Sequence, residues 1–267
     1  MGLLSALLLL LPLPRLVLTV LTLYRLLLIT NPARSKPLRH GRRNAHEPTH
    51  LLIVLGSGGH TAEMLSLLDR AVNDPDPDRR LHWKDFAHRT WVVSQGDSIS
   101  AARAKEFEEM ATGASNQEAL MRGKVKGWTD SGPGTYDIVT VPRARAIHQP
   151  LWTTPFSSLS CGHACWKLLT AHTDRRTRDY PDLVLCNGPA TATVLVATTI
   201  LLRLLNVESA SSRNKMRTVY IESFARVKKL SLSGAVLSKV VDRFLVQWPQ
   251  IAREYGGRVE YAGTLVN

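Results

Sequence analysis

Short apolar segments that alternate with helical patterns are the feature that most restricts the fold of this chain. Four of them, "HLLIVLG", "TWVVSQ", "PDLVLCNG" and "TVYIES", are each followed by a stretch with the spacing of a helix. Further strand segments are "YDIVTVP", "RFLVQW" and "RVEYAG". Strands that alternate with helices pair in parallel through right-handed crossovers. The sequence therefore predicts a doubly wound, Rossmann-like α/β sheet over residues 50–267.

Two segments do not follow this alternation, and the character of a third needs a separate argument. Residues 73–85 are rich in Pro and charge, and residues 112–135 are rich in Gly and polar side chains, so both are predicted as inserted loops. Segment Pro189–Leu205 is apolar enough for a membrane span, but it is short, contains Arg203 and follows a strand and a turn. It is interpreted as a buried crossover helix.

The amino terminus carries a long apolar run over residues 3–29. A spanning helix needs about 20 apolar residues, and the leucines outweigh the cost of Arg15. Pro12 and Pro14 leave open a helix that lies in the plane of the interface. A cleaved signal peptide is disfavoured because no basic residue precedes Arg15. Residues 1–30 are therefore predicted as a membrane anchor.

A basic linker over residues 31–49 follows this run. Five Arg and Lys residues lie between 34 and 43 without one acid, which predicts that this side of the membrane is the cytosol. The net charge of the whole chain is +12. An anionic partner is expected: an anionic lipid, a phosphorylated substrate or nucleic acid.

A glycine-rich turn, Gly56-Ser57-Gly58-Gly59-His60, joins the first predicted strand to a helix. Glycines at the carboxyl end of a strand allow close backbone approach to a ligand, and the next helix offers free N–H groups and partial positive charge. The turn therefore predicts a phosphate or pyrophosphate site, with a plain tight turn as the alternative. Thr61 replaces the third glycine of the dinucleotide fingerprint, and no Walker A sequence is present.

Histidine 60 falls in the first turn of the following helix. The helix dipole disfavours a cationic imidazole there, so His60 is a candidate general base for a hydroxyl. Helix capping or phosphate binding is the alternative role.

Two further strand ends carry polar residues: Asn187 and Gly188 in "LCNGPATA", and Glu222 in "YIESFARVKKLSLSG". Ends of parallel strands meet at one edge of the sheet, so one crevice is predicted. Glu222 is expected to bind a sugar hydroxyl, to act as a base, or to cap a helix.

No metal site is predicted. The three cysteines form no framework of disulfides or metal ligands, and reduced thiols in a cytosolic domain are the simpler interpretation.

Five segments in register resemble one family: the turn "GSGGH", then "PRARAIHQP", "PDLVLCNGP", "YIESFARVKKLSLSG" and "FLVQWP". They are similar to the asparagine-linked glycosylation protein fourteen family, over about residues 50–267. More distantly, the turn resembles the acceptor-side domain of the bacterial enzyme that adds GlcNAc to a lipid-linked peptidoglycan precursor.

The resemblance implies the amino-terminal, acceptor-binding half of a split GT-B glycosyltransferase. A soluble donor-binding subunit would supply UDP-GlcNAc, so no cofactor is expected on this chain. The heterodimer would add the second GlcNAc to GlcNAc-pyrophosphate-dolichol, with inversion, at the cytosolic face of the endoplasmic reticulum membrane or the contiguous nuclear membrane. This chain would be its single-pass membrane anchor. The tail "YAGTLVN" at the end of the chain is the expected docking element for the partner.

The resemblance also assigns residues. Gly56, Ser57, Gly58, Gly59 and His60 would face the lipid pyrophosphate and the acceptor sugar, while Arg143 and Arg145 would pair with phosphate charge. Asn187 and Gly188 match the second loop and Glu222 the third strand end. Ala190 departs from the glycine expected after "NGP". Three aromatic residues, Trp152, Phe156 and Trp166, would contact the bilayer interface or pack in the core.

Two other functions remain as alternatives. The chain could be a pure membrane scaffold that recruits a catalytic partner. A nucleic-acid-binding protein would explain the charge, but no recognition motif is present.

Overall fold

The computed structural model describes residues 12–31, 49–76, 80–81, 83–121, 134–145, 149–171, 179–188 and 190–263. The strands are β1 His50–Val54, β2 His88–Ser94, β3 Thr135–Val141, β4 Leu183–Asn187, β5 Arg217–Ile221, β6 Arg243–Val246 and β7 Val259–Tyr261. The helices are α1 Pro12–Ile29, α2 Gly59–Val72, α3 Ser98–Met121, α4 Thr154–Thr170, α5 Thr191–Leu205, α6 Leu232–Leu237 and α7 Pro249–Tyr255.

The strands form one parallel sheet of seven strands in the order β3-β2-β1-β4-β5-β6-β7. The predicted doubly wound α/β sheet is thereby confirmed. The chain leaves β1 toward one edge and returns to β4 toward the other, so the strand order reverses between β1 and β4. In open α/β sheets this reversal opens a crevice at the carboxyl ends of the two strands.

Both faces of the sheet are buried, which explains the continuous apolar runs of the central strands. In β1, Leu51 and Ile53 belong to a core that includes Met64 and Leu68 of α2. Leu52 and Val54 point to the opposite face, where α4 and α5 pack. Successive side chains of a strand alternate between faces, so one short segment supports two cores.

Helix α5 confirms the interpretation of the segment that ends at Leu205 as a buried crossover helix. Its buried residues run from Thr191 to Arg203. The guanidinium of Arg203 donates two hydrogen bonds to Asp242, at 2.8 and 3.2 Å, and one to the backbone oxygen of Ile29 at 2.8 Å. This arginine therefore joins the end of α1 to the body of the domain.

Helix α1 occupies the carboxyl-terminal part of the predicted anchor, and residues 1–11 lie outside the described residues. Large apolar side chains along it are exposed, among them Leu16, Leu18, Leu21 and Leu27. Across the described part of the chain, none of the helices combines the length and the apolar character that a membrane crossing requires.

The predicted loop over 112–135 requires a correction, because α3 continues through Met121. The segment "SNQEALM" contains strong helix formers, and one interior glycine costs only about 1 kcal/mol. Residues 122–133 lie outside the described residues. Helices α4 and α7 were not predicted. On α4 and the turn before it, Trp152 and Phe156 are exposed, whereas Trp166 packs against the core.

Candidate functional site

An open cleft of about 750 Å³ lies at the carboxyl ends of β1 and β4. This is the position that the strand order predicts, and the volume is typical of small-molecule sites. Its described lining comes from the ends of β1, β2, β3, β4 and β5: residues within 54–60, residue 94, residues 143–145, 154 and 158, residues 187 and 190–194, and residues within 226–233. Five strand ends therefore contribute to one cleft.

The first loop needs its glycines for two different reasons. Gly58 has φ +64°, a left-handed conformation that most residues avoid. At Gly56 the constraint is space, because a Cβ there would lie 2.7 Å from the Cβ of His60. The Thr61 hydroxyl donates a hydrogen bond to the Gly56 oxygen and closes the turn. The loop thereby places His60 in the first turn of α2.

The imidazole of His60 is packed between the first and second loops. A Cβ on Gly188 would lie 3.1 Å from its Cγ and Cδ2 atoms, so glycine is required under the ring. The Asn187 side-chain amide donates a 2.6 Å hydrogen bond to the backbone oxygen of His60. The predicted convergence of these two strand ends is confirmed.

The electrostatics of the cleft favour an anion. Helices α2 and α5 begin at it, and within the described residues no side chain caps either helix. Their first N–H groups are therefore available to a ligand, and each helix places partial positive charge there. Arg143, Arg145 and Arg226 also line the cleft, and none of its described lining residues is acidic.

Several buried polar atoms at the cleft have no hydrogen-bond partner in the described structure. They are His60 Nδ1, Asn187 Oδ1 and Thr193 Oγ1. Buried polar atoms are satisfied in most native structures. His60 Nδ1 lies 3.5 Å from Glu63 Oε2, whereas the unsatisfied atoms of Asn187 and Thr193 belong to lining residues of the open cleft and indicate a polar ligand.

Glutamate 222 lies behind the cleft, and only 2 % of it is exposed. Its Oε1 accepts a hydrogen bond from the Ser223 N–H at 3.2 Å. Its Oε2 accepts from the N–H and the hydroxyl of Ser231, at 3.1 and 3.0 Å. These hydrogen bonds hold the segment between β5 and α6, and Glu222 is not among the described residues that line the cleft.

Glutamate 63 is the acidic group nearest in sequence to His60, one helical turn further along α2. Its Oε2 lies 3.5 Å from His60 Nδ1, and its Oε1 accepts a 2.8 Å hydrogen bond from the Ser223 hydroxyl. Partial burial opposes ionisation of Glu63, but contacts with His60 and Ser223 favour the charged form and together lower the pKa of its carboxyl.

The structure brings most of the predicted site residues together. Gly56, Ser57, His60 and Asn187 line the cleft with Arg143 and Arg145. Gly58 and Gly59 complete the first loop, and Gly188 supports the His60 ring. The two arginines are held by backbone oxygens: Arg143 Nε donates to Gln95 at 2.9 Å and Arg145 Nη2 to Gln149 at 3.3 Å.

Two residues at or beside the candidate site were missed by the sequence reasoning. Glu63 follows His60 by three positions, a spacing that places both on one helix face, so periodicity was sufficient to find it. Arg226 stands in the predicted third loop, "SFARVKK", but no local pattern separates it from Lys228 and Lys229.

Comparison with known proteins identifies the family of this chain. The family model "Oligosaccharide biosynthesis protein Alg14 like" matches residues 51–265. The chain belongs to the Alg14 family. The predicted resemblance is thus confirmed, and the first, second and third loops all fall within the matched range.

Relatives are similar over most of their length. The UDP-N-acetylglucosamine transferase subunit alg14 of Aspergillus fumigatus is 38% identical over 241 residues, which cover 76% of this chain and 100% of the relative. The corresponding subunit of Homo sapiens is 34% identical over 82% of this chain and 84% of its own length.

Among solved structures, the similarity is weaker. Acinetobacter baumannii MurG has a TM-score of 0.40 and 12% identity over 76% of this chain and 42% of its own. Arabidopsis thaliana UGT89C1 also has a TM-score of 0.40, over 83% of this chain. The chain spans about 42% and 53% of the lengths of these two proteins.

Proposed function

We propose that this chain is the acceptor-binding subunit of a two-chain UDP-GlcNAc transferase that adds the second GlcNAc to GlcNAc-pyrophosphate-dolichol. The observation that carries the proposal is the cleft itself, where two uncapped helix starts, three arginines and His60 meet at the strand-order reversal. Membership of the Alg14 family supports the same class of reaction.

The lipid-linked pyrophosphate would bind at the starts of α2 and α5. Backbone N–H groups there donate to phosphate oxygens, as at many helix starts. Arg143, Arg145 and Arg226 add charge-assisted hydrogen bonds. Ser57 and Thr193 are neutral polar residues of the same cleft, and Thr193 Oγ1 has no described partner.

His60 would act as the general base. Its Nδ1 is buried. The backbones of Gly56 and Gly188 pack closely against its Cβ, Cγ and Cδ2 atoms. The Nε2 edge is therefore the part of the ring that remains for the cleft. Nε2 would take the proton of the acceptor sugar hydroxyl, whose oxygen attacks the anomeric carbon opposite the departing UDP. Attack from that face inverts the configuration.

Glu222, the other catalytic candidate, has a different proposed role. Its carboxylate is occupied by Ser223 and Ser231, and Ser231 Oγ in turn accepts a 2.9 Å hydrogen bond from the Gly234 N–H. A Cβ on Gly234 would lie 1.9 Å from Glu222 Oε2. Glu222 would therefore hold the third loop, which carries Arg226, against the cleft.

The donor UDP-GlcNAc would be bound by a soluble partner subunit in a heterodimer of GT-B architecture. Residues 264–267 of the tail lie outside the described residues, and Tyr261 just before them is exposed. This agrees with the proposed docking of the partner at the carboxyl end. The exposed apolar side chains of α1, together with Trp152 and Phe156, support membrane association. We place the domain on the cytosolic side of the endoplasmic reticulum membrane.

The test is a transfer assay with labelled UDP-GlcNAc and GlcNAc-pyrophosphate-polyprenol, with this chain alone and in complex with the donor-binding subunit. Transfer is expected only from the complex. His60→Ala should reduce kcat by about 10²- to 10⁴-fold, the usual contribution of a general base. His163→Ala is the matched control, since His163 is exposed on α4.

Full transfer by the His60→Ala complex would contradict the catalytic role and leave this chain as a membrane scaffold. Transfer by this chain alone would contradict the assignment of the donor site to a partner. Activity that follows only the amount of partner recruited to membranes would likewise favour the scaffold.

A further inference from the structure

Glutamate 63 joins the first loop to the third strand end through two contacts. On one side its Oε2 is 3.5 Å from Nδ1 of His60. On the other side its Oε1 accepts the 2.8 Å hydrogen bond from the hydroxyl of Ser223, which lies 160 positions later in the chain. The carboxylate is therefore fixed between the imidazole and a residue at the carboxyl end of β5.

The Ser223 end of this connection is itself held in place. The Ser223 N–H donates to Glu222 Oε1 at 3.2 Å, and Glu222 Oε2 accepts from Ser231. Ser223 and Glu222 are 7 % and 2 % exposed. A carboxylate with one oxygen fixed by a buried partner loses little further freedom when its other oxygen contacts an imidazole.

The charges around His60 give this contact its importance. The cleft presents two helix starts and three arginines, all of which oppose a positive charge on the imidazole. Within the described residues, no Asp or Glu lines the cleft itself. A base that becomes cationic in such a place needs a nearby negative charge on its far side, and Glu63 lies there.

We propose that Glu63 is the positioning residue of His60: it fixes the tautomer with hydrogen on Nδ1 and balances the imidazolium formed when Nε2 takes the acceptor proton. This inference rests on the proposed function. In the step, the sugar O–H bond breaks, its proton binds Nε2, and the oxygen forms a bond to the anomeric carbon. The bond from that carbon to UDP breaks, and UDP leaves with the electron pair.

The contact distances agree with this role. At 3.5 Å the Glu63 Oε2 and His60 Nδ1 atoms form an ion pair when the imidazole is protonated, but Nδ1 has no aligned hydrogen bond to any described residue. Hydrogen bonds between catalytic groups are often long before substrate binds and shorten in the complex. The carboxyl of Glu63 has a lowered pKa and is thus kept as the anion that the role requires.

The kinetic test compares Glu63→Gln, Glu63→Asp and Glu109→Gln in the two-chain complex. Glu109 is an exposed acid on α3 that pairs with Lys105 at 3.8 Å, so its variant controls for the loss of one charge. Glu63→Gln should lower kcat by about 10- to 100-fold, the range found for loss of the hydrogen-bond partner of a metal-ligating histidine, with the acceptor KM within twofold. Glu63→Asp should recover part of kcat, and Glu109→Gln should match wild type.

A second measurement does not depend on activity. Ring ¹⁵N chemical shifts of His60, assigned with His60→Gln, report which nitrogen carries the hydrogen in the unliganded protein. The Nδ1–H form should dominate in wild type and lose population in Glu63→Gln. Ser223→Ala, which releases the other carboxylate oxygen, should produce a smaller change in the same direction and covers the case that Glu63→Gln does not fold.

The outcomes separate this inference from the proposed function. A kcat of Glu63→Gln within twofold of wild type, or identical His60 ring shifts in both proteins, would overturn the role of Glu63. A wild-type complex without transfer would instead overturn the proposed function, and a shift in tautomer would then still show that Glu63 orients His60.

Discussion

Two groups of buried polar side chains lie at opposite ends of the sheet, and they differ in how completely they are satisfied. Near the amino end of β2, Arg89, Glu108, Trp83 and Trp91 form what we term the Arg89–Glu108 cluster. Glu108 accepts from Arg89 Nε and Nη2 at 2.9 and 2.8 Å, and from the indoles of Trp83 and Trp91 at 3.1 and 2.7 Å. Both carboxylate oxygens are occupied.

At the carboxyl end, the cleft keeps polar atoms that have no partner among the described residues. Asn187 Oδ1 and Thr193 Oγ1 are buried and unsatisfied there. An unsatisfied buried polar atom costs about 1–3 kcal/mol. A closed polar network stabilises the fold, whereas an open one keeps its hydrogen bonds for a ligand.

The largest expected effect belongs to the closed cluster. Glu108→Leu leaves the charge of Arg89 buried without its partner, which should lower the free energy of unfolding by about 3–5 kcal/mol. The double variant Arg89→Met/Glu108→Leu should recover most of this loss. Denaturant unfolding measures both variants, and transfer activity per folded molecule should stay near wild type. Equal destabilisation by single and double variants would show that packing, and not charge, is responsible.

A second polar group at the amino ends of the strands predicts a dependence on pH. Burial lowers the pKa of His50 to about 4, against a smaller opposing effect of the Asp179 backbone oxygen, which accepts from Nδ1 at 3.0 Å. Between pH 4 and 6.5 the unfolded chain binds more protons than the folded one. The free energy of unfolding should therefore rise by about 3 kcal/mol between pH 4 and 6.5. Above pH 6.5 the contribution of His50 should be constant.

The difference between wild type and His50→Gln isolates this contribution from other titrating groups. Unfolding measured at half-unit pH steps should show the two stability curves diverge as pH rises from 4 and run parallel above 6.5. Parallel curves over the whole interval would contradict a neutral buried His50.

In the cleft, Gly188→Ala should affect activity more than stability. Alanine at φ +79° is strained by about 1–3 kcal/mol, and its Cβ would lie 3.1 Å from the His60 ring. The ring must then move, so kcat should fall by about 10- to 100-fold. Gly96→Ala is the matched control, because Gly96 has φ +80° with open space around it. Gly96→Ala should lose a similar amount of stability from backbone strain but keep the kcat of wild type.

The smallest change in stability is expected for Asn187→Ala. The hydrogen bond from its side-chain amide to the backbone oxygen of His60 contributes about 1 kcal/mol to the free energy of unfolding. Transfer should fall at least tenfold, because the variant separates the first loop from the second. Thermal unfolding and acceptor titration measure the two effects. If Asn187→Ala lowers stability more than Gly188→Ala does and leaves kcat unchanged, Asn187 serves to stabilise the fold and is not one of the polar residues that bind a ligand.

The sequence predicted the parts of this site that depend on local pattern. The run Leu51–Leu55 and the glycines after it define a strand, a turn and the start of a helix, since alternation and backbone freedom are properties of neighbouring residues. The polar ends of β1 and β4 were expected to meet, and the Asn187 amide donates a hydrogen bond to the backbone oxygen of His60. Glu63 was missed although its spacing from His60 is helical.

The role of Glu222 shows what local pattern leaves out. Its position at a strand end is the same in sequence and in structure, but only the tertiary structure places Ser231 and Gly234 against its carboxylate. The continuation of α3 to Met121 was also missed, because one glycine and several polar residues suggested a loop.

Short-range spacing was sufficient to predict the class of fold and the loop that holds His60, and the composition predicted an anionic partner. Which polar groups are closed and which are open depends on the tertiary structure. Arg89 and Glu108 are 19 positions apart, and Ser223 and Glu63 are 160 positions apart. Saturation of a buried polar atom depends on every group within 3.5 Å of it, and the order of the strands brings those groups together.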